Sequence, residues 1–298
     1  MATDATREGS EDLDAGDFGL DDLDADDREA VEDLLFRLAD DELVLAERYT
    51  EWQVRAPTLE SDISLSNVAQ DELGHARLWY GVLEAFGYDE TDLIWERDPA
   101  DFRHSTLVEL PFGEGDWADA VVRAYLFDVA EDVQLHALAD STFAPIRDRV
   151  GKVLAEEDYH LEYAESWIEH LATDEEGRER LQAALDELYP YALTLFEPGD
   201  EALEERLLDL GVRDDALVEL RDAWHDRVSG FLADLGLAVP DLDLPEQYDV
   251  HVSPTGLPAH VGRDGDHTEH WPDLHAEMTE TYRDLERTHA TRIMAEEE

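Results

Sequence analysis

Two short motifs of the form Glu-x-x-His constrain this chain more than any other feature. The first runs from Glu72 to His75 and the second from Glu157 to His160, and both lie where apolar residues recur with helical spacing. Residues three apart on a helix share a face, so each motif can present a carboxylate and an imidazole to one point. The repetition indicates a site built from two matching halves.

An acid on a predicted helix precedes each motif by about thirty residues. Glu42 lies upstream of the first motif and Asp128 upstream of the second. Two Glu-x-x-His helices combined with one acid from each of two further helices are the ligand pattern of the dimetal site in ferritin-like bundles. We therefore predict a carboxylate-bridged dimetal site with these ligands: Glu42, Glu72, His75, Asp128, Glu157 and His160.

The chemistry of this ligand set suits two divalent ions. Four carboxylates balance their charge, and the two imidazoles provide one nitrogen ligand for each ion. Without metal, burial of these acids would be costly and would force them to take up protons. The alternative is chance placement on the surface, because acids are common in a chain with 78 of them; the histidines, of which there are 12, are more informative.

Two other acids compete with the predicted ligands. Glu131 lies one helical turn after Asp128 and is a rival ligand from the third helix. Glu47 is a weaker rival of Glu42, because five residues rotate a side chain by about 140° around a helix.

The apolar pattern predicts an all-α fold, with a ferritin-like four-helix bundle core and extra C-terminal helices. No strand pattern is present. The predicted organisation is an acidic disordered tail over 1–27, a ferritin-like domain over 28–240, and a C-terminal loop and helix over 241–298 that packs on the bundle or a partner. The predicted helices span about 28–54, 58–86, 117–143, 145–171, 178–196, 201–235 with an interruption near Gly211, and 271–294, with a long connection over 88–115.

The charge of the chain limits its environment and partners. The net charge is −56, which becomes tolerable when molar salt shortens the screening length to roughly 3 Å. We therefore expect a cytoplasmic protein of an extreme halophile. Nucleic acid is disfavoured as a partner because no basic patch exists, and a membrane because no apolar run reaches about 18 residues. The chain has no cysteine, so any metal here has oxygen and nitrogen ligands.

Several stretches resemble the phenylacetic acid catabolic family, which comprises the ferritin-like subunits of ring-1,2-phenylacetyl-CoA epoxidase. The resemblance covers about residues 35–285. The stretches that carry it are Arg55–Leu59, Gln70–His75, Arg97–Asp98, Leu107–Glu109, Tyr125–Asp128 and Gly265–His270.

This family contains two paralogous subunits, a catalytic one with a dimetal site and a structural one, PaaC, that typically has lost ligands. The connection after the second helix and the His267–His270 loop resemble the structural paralogue, whereas the complete ligand set resembles the catalytic one. The resemblance implies a PaaC-like subunit with a di-iron site, a paralogous catalytic partner, a separate reductase as electron donor and an aromatic acyl-CoA substrate.

The resemblance also implies a role for each ligand. The two motif glutamates would bridge or chelate, each histidine would ligate one iron, and Glu42 and Asp128 would complete the terminal positions. Two alternatives stay open: a scaffold subunit with no working metal site, and a ferritin-like iron oxidase. His267 to His270 could form a second metal site, but we expect this loop to be a packing or interface element.

Overall fold

The computed structural model describes residues 18–53, 55–112, 115–242 and 256–285. Within these ranges the regular structure is helical, and the only β-type pairing is one isolated bridge between Phe18 and Phe143. The prediction of an all-α, ferritin-like bundle with additional C-terminal helices is confirmed.

Four long helices form the bundle that carries the predicted ligands. They are α1 (Ala25–Thr50), α2 (Leu59–Phe86), α4 (Trp117–Leu138) and α5 (Ala144–Leu171). Helix α1 packs along α2, α4 packs along α5, and contacts between α2 and α5 join the two pairs. The two helices with Glu-x-x-His motifs are therefore neighbours.

Local signals fix the start and end of these helices. The Asp24 side chain caps α1 by accepting hydrogen bonds from the backbone N–H groups of Asp26 and Asp27. Thr58 caps α2 in the same way through Ser61, and Gly87 ends that helix with a φ of 108°, which glycine adopts without steric cost. These boundaries place Glu72 and His75 in the middle of α2.

The structure differs from the sequence prediction at two boundaries. Helix α4 ends at Leu138 rather than near 143, because Phe143 is instead the N-cap residue of α5. Its ring packs against those of Phe18 and Phe86, with centroid distances of 5.6 and 6.3 Å. Helix α1 begins inside the predicted tail, and the backbone of Phe18 exchanges hydrogen bonds with Thr142 and Ala144. Residues 1–17 of that tail lie outside the described ranges.

The remaining helices surround the bundle. They are α3 (Thr106–Glu109), α6 (Glu175–Ala192), α7 (Glu201–Asp209), α8 (Leu217–Asp234), α9 (Trp271–Met278) and α10 (Glu280–Asp284). The interruption predicted near Gly211 in the run over 201–235 is present: α7 and α8 are separate helices, and Gly211 between them takes a φ of 68°. The part of the predicted last helix after residue 285 is outside the described residues.

The connection between α2 and α4 is more ordered than its proline and glycine content indicates. It contains a π-helical turn, Thr91–Trp95, and the short helix α3, whose four residues are all buried. Helix α9 packs on it, and the Trp271 indole donates a 2.8 Å hydrogen bond to the Pro99 carbonyl. In the described part of the chain, no helix is long and apolar enough to cross a membrane.

Candidate metal centre

The six predicted ligands lie at the centre of the bundle, and each is at most 2 % exposed. The Nδ1 atom of His75 is 3.2 Å from Glu157 Oε1 and 3.4 Å from Glu72 Oε2. The same nitrogen is 3.8 Å from Glu42 Oε2. One half of the predicted site is therefore built from α1, α2 and α5.

The second half mirrors the first around the other histidine. His160 Nδ1 is 3.1 Å from Glu157 Oε1 and 3.7 Å from Glu72 Oε1. The centroids of the two imidazole rings are 6.1 Å apart. Both motif glutamates therefore lie between the two histidines, where a bridging carboxylate belongs.

An outer pair of carboxylates contacts the other ring nitrogen of each histidine. His75 Nε2 is 2.9 Å from Glu156 Oε2, and His160 Nε2 is 3.5 Å from Asp71 Oδ2. Glu156, which directly precedes the glutamate of the second motif, thus faces the histidine of the first motif. Asp71, which directly precedes the glutamate of the first motif, faces the histidine of the second. Carboxylates in this position orient a ligating imidazole and fix its tautomer. The sequence signal was available, since an acid precedes the glutamate in both motifs, but its role depends on the helix packing.

Helix α4 contributes two acids rather than one. Asp128 is 1 % exposed and its Oδ1 atom has no hydrogen-bond partner. Glu131 offers an oxygen that lies within 4.8 Å of ligand atoms of His75 and Glu157. Glu131 is thus within ligand distance of the cluster. Asp128 belongs to none of the groups of converging ligand atoms among the described residues, although Glu157 and His160 are close enough for their charges to shift its pKa. Glu47 instead lies near Glu277, and burial together with the charge of Glu277 raises the pKa of Glu47.

Without bound metal, burial and the charges of neighbouring groups determine which carboxyls and imidazoles of the cluster carry protons. Burial and repulsion between carboxylates raise the pKa values of Glu42, Asp128 and Glu131 well above the usual range. Burial favours neutral imidazoles, but the neighbouring glutamates outweigh it and raise the pKa of His75 and of His160 to about 11. Protons therefore supply the positive charge that the buried acids need.

The donor set also fits metal ions. Both carboxylate oxygens of Glu72 and of Glu157, and the Nδ1 atoms of both histidines, are buried without a hydrogen-bond partner. Such groups are rarely left unsatisfied in a folded protein. Oxygen and imidazole donors that converge from four helices match the ligands of di-iron and di-manganese bundles.

A second group that could hold a metal joins the C-terminal loop to α3. Glu109 Oε2 is 2.6 Å from His104 Nε2 and 2.9 Å from His267 Nδ1. The other oxygen of Glu109 accepts a 2.6 Å hydrogen bond from the Thr268 N–H, and His267 Nε2 lies 3.1 Å from the Phe102 carbonyl. These protein partners account for the Glu109 carboxylate and for both ring nitrogens of His267, which favours the packing interpretation of the loop.

Two buried ion pairs hold α1 next to the cluster. Asp40 accepts hydrogen bonds of 2.7 and 2.9 Å from Arg97, and Asp41 accepts one of 2.7 Å from Arg263. These aspartates directly precede Glu42 and fix the rotation of α1 that turns Glu42 inward. The pairs span 57 and 222 residues, so no local pattern in the sequence indicates them.

The fold and the inward-facing acids and histidines define the class of ferritin-like helical bundles with carboxylate-rich cores. The sequence profile described as "Phenylacetic acid catabolic protein" matches residues 19–289, and the chain belongs to this family. The resemblance predicted from the sequence is thus confirmed.

Two components of the 1,2-phenylacetyl-CoA epoxidase of Escherichia coli (strain K12) are similar to the chain. The C subunit of that epoxidase is 33 % identical over 248 residues, which cover 81 % of this chain and 92 % of the relative. The A subunit is 29 % identical over 196 residues, which cover 65 % of this chain and 63 % of the relative. Identity and coverage are both higher for the C subunit.

Proposed function

We propose that the chain is a PaaC-like subunit of a multicomponent phenylacetyl-CoA 1,2-epoxidase in aerobic phenylacetate catabolism, and that it holds a carboxylate-bridged di-iron site. The match to the C subunit of the bacterial epoxidase, over nearly the whole of that relative, supports the first part. The observation that carries the second part is the complete set of buried, inward-facing ligands with unsatisfied donor atoms.

Each ligand has a role that follows from its position. Glu72 and Glu157, which lie between the imidazoles, would bridge the two ions. His75 and His160 would each ligate one ion through Nδ1, and the terminal positions would belong to Glu42 and Asp128. The ligand list is then Glu42, Glu72, His75, Asp128, Glu157 and His160, with Glu131 as an additional acid beside Glu42.

A di-iron pair in this place would supply the redox chemistry of oxygen activation. The chain itself holds the ligands rigidly and excludes water from them, because the side chains around the cluster are buried. Tyr49 is one of these, with no exposed surface, and burial together with the charge of Asp128 raises its pKa well above the usual range. A chain without cysteine cannot hold an iron–sulfur cluster, so the electrons would come from a separate reductase.

A scaffold without a working metal site is the second candidate. The higher identity to the C subunit than to the A subunit favours it, because the resemblance implies that the structural paralogue typically has lost ligands. The two candidates differ in what they require of the cluster. A di-iron protein needs its ligands for turnover, whereas a scaffold needs only its surface.

The test is reconstitution with the paralogous catalytic partner and a reductase from the same source, with consumption of phenylacetyl-CoA as the readout. We expect the Glu72→Ala/Glu157→Ala variant to assemble with its partner but to lose turnover. The matched control is Glu84→Ala/Glu169→Ala, which removes two exposed acids from the same helices. Unchanged turnover in the ligand variant would support the scaffold, and failure of the wild-type chain to bind the partner would contradict the proposal.

A further inference from the structure

We propose that the outer face of α2 binds a second copy of this chain, with the two α2 helices antiparallel and a two-fold axis at Gly74. The residues of this face recur every three or four positions and therefore share one side of the helix. Each of them is exposed or partly exposed, and they are Leu59, Ile63, Asn67, Gln70, Gly74, Arg77, Gly81 and Ala85. None of the predicted metal ligands belongs to this face.

The outer face of α2 is poor in acids, although the chain has 78 of them. Between Ile63 and Gly81 the fully exposed residues of α2 are Ile63, Asn67 and Gln70, and none of them is charged. The acid at the edge of the face, Asp71, is directed toward His160 on α5. The exposed positions of α6 and α8, by contrast, include many acids, namely Glu175, Glu176, Glu179, Asp186, Glu187, Glu219, Asp222, Asp226 and Asp234.

The charge of the chain gives this difference a meaning. Two copies, each with a net charge of −56, repel one another wherever their acidic surfaces meet. A second copy brings the same acids as the first, so an isologous contact requires a face from which acids are absent. The outer face of α2 meets that requirement.

Apolar side chains are exposed at the N-terminal end of this face. Leu59 is 68 % exposed and Ile63 is 53 % exposed, and Tyr159 on the neighbouring helix α5 is 46 % exposed. In the described part of the chain these are three of the four large apolar side chains with such exposure. Exposed apolar side chains gathered in one region mark an interaction surface rather than a surface that faces water.

Two glycines occupy the centre and the C-terminal half of the same face. Glycine destabilises the interior of a helix relative to alanine. A Cβ atom added at Gly74 or Gly81 would meet no atom within 4 Å, so packing within the subunit does not require glycine at either position. Glycine does allow the backbone of another helix to approach closely. A second α2 helix that crosses here would make use of both.

The order of large and small residues along α2 matches a two-fold axis at Gly74. Residues at equal distances before and after Gly74 face each other when two copies pack antiparallel. Ile63 is eleven residues before Gly74 and Ala85 is eleven after it, whereas Asn67 and Gly81 are each seven residues away. The large side chains of one copy therefore lie opposite the small residues of the other, as interlocking helix surfaces require.

The same axis places opposite charges together. Asp71 and Arg77 are each three residues from Gly74, so Asp71 of one copy lies opposite Arg77 of the other. The Asp71 side chain is 43 % exposed, which leaves it accessible beside its contact with His160. Arg77 also interacts within its own subunit, but a guanidinium has five N–H donors and can bind a further acceptor.

The size of the face is sufficient for a stable dimer. From Leu59 to Ala85 it extends about 40 Å, given the rise of about 1.5 Å per residue. With the adjacent edge of α5 its width is roughly 20 Å, because packed helices lie about 10 Å apart. The product is close to the roughly 800 Å² that each partner contributes to a standard interface.

The first test is sedimentation velocity of the full-length chain over a wide range of concentrations, in concentrated salt and without other subunits. We expect a reversible dimer. Gly74→Glu should raise its dissociation constant on the order of a hundredfold, because it places two acids and two bulky side chains on the axis. Gly230→Glu is the matched control, since Gly230 is also an exposed helical glycine with no atom within 4 Å of an added Cβ. It should dimerise like the wild type.

A second test determines the position of the axis and does not depend on the glutamate variant. The chain has no cysteine, so Gly74→Cys supplies a single thiol to each copy. A disulfide forms only when the two Cα atoms are within about 7 Å, which the axis allows at this position. After mild oxidation we expect a covalent dimer of Gly74→Cys and none of Gly230→Cys, with circular dichroism as the check that both variants are folded.

The proposal is overturned if the wild-type chain is a monomer at every concentration. That result is expected if a segment outside the described ranges covers the face, or if only a paralogous subunit binds there. Equal dimerisation of Gly74→Glu and Gly230→Glu would also overturn it, as would failure of Gly74→Cys to cross-link. None of these measurements depends on a metal in the cluster or on turnover, so they are independent of the proposed function.

Discussion

Single residues decide whether the cluster binds metal, and the two acids of α4 are the clearest case. Asp128 is close enough to Glu157 and His160 for their charges to shift its pKa, whereas Glu131 lies close enough to Glu42 to raise the pKa of Glu42 and offers an oxygen near His75. The half of the site around His75 already has Glu42 as its terminal acid. Asp128 is therefore the acid that the half-site around His160 needs.

We predict that Asp128→Asn lowers the metal content more than Glu131→Gln does. Loss of a terminal carboxylate should weaken binding of one ion about 10- to 100-fold or more, so that the variant retains about one ion per chain after dialysis. Elemental analysis of both variants, prepared side by side, measures the difference. A larger loss in Glu131→Gln would reassign the ligand of α4 to Glu131.

We also predict that metal affinity increases with pH. Without metal, the pKa values of His75 and His160 are raised to about 11, so both imidazoles carry protons at neutral pH. Metal binding must displace these protons, and each proton released strengthens the apparent affinity about tenfold per pH unit. Titration with cobalt(II) between about pH 7 and about pH 9, with proton release followed in a pH-stat, tests this. An affinity independent of pH would contradict this, because it would show that both imidazoles are already neutral in the metal-free protein.

Elements are held around the site by buried ion pairs that link distant parts of the chain. Glu204 in α7 contacts Arg37 in α1 and Arg213 in the loop that follows α7. Burial alone would raise the pKa of Glu204, but the two arginines outweigh burial and lower it to about 2. This three-residue contact fixes α7 against the bundle.

Glu204→Gln should therefore destabilise the protein by about 3 kcal/mol at neutral pH, because it leaves the buried Arg213 without its acid and leaves Arg37 with Asp33 alone. The pKa of Glu204 is lowered in the folded state, so its contribution is full above about pH 4.5 and disappears as the pH falls through about 2. Urea unfolding at constant salt measures the difference from the wild type. Glu205→Gln removes the exposed neighbouring acid and should have no comparable effect; equal losses in both variants would show that the three-residue contact is not what stabilises α7.

The sequence predicted the elements better than their contacts. Helical spacing and the caps at Thr58 and Gly87 located α2, and the repeated motif identified ligands that the fold brings together. The pairing of Asp40 with Arg97 and of Asp41 with Arg263 was not predictable, since such contacts have no periodic signal. The order in the connection after α2 was missed for the same reason, because α3 is stabilised by packing against distant segments rather than by its own short sequence.

At the scale of the whole molecule, the excess of acids leads us to expect that folding requires salt. The net charge is −56, and among the described residues six of the arginines are buried and form ion pairs, so they do not offset the acids at the surface. Repulsion between surface acids therefore acts across the folded chain. In concentrated salt, where the Debye length is roughly 3 Å, screening limits this repulsion to acids that are direct neighbours.

We predict that the protein loses stability as salt is lowered. Between about 1 M and about 0.1 M potassium chloride the screening length increases from roughly 3 to roughly 10 Å, so many more acid pairs repel one another. Circular dichroism during stepwise dilution should show loss of helix and a falling unfolding temperature. Sucrose at matched osmotic strength should not restore the helix, and retention of full stability at low salt would contradict the halophilic interpretation.

The buried acids and histidines at the centre of the bundle are the feature on which the proposed function depends most, because they would hold two metal ions. Elemental analysis of the chain, expressed without its partners and purified in concentrated salt, tests this when the Glu72→Ala/Glu157→Ala variant is measured beside it. We predict about two irons per chain in the wild type and their loss in the variant, since both bridging carboxylates are removed. Absence of bound metal from the wild-type chain under these conditions, even after incubation with ferrous iron, would contradict the dimetal site.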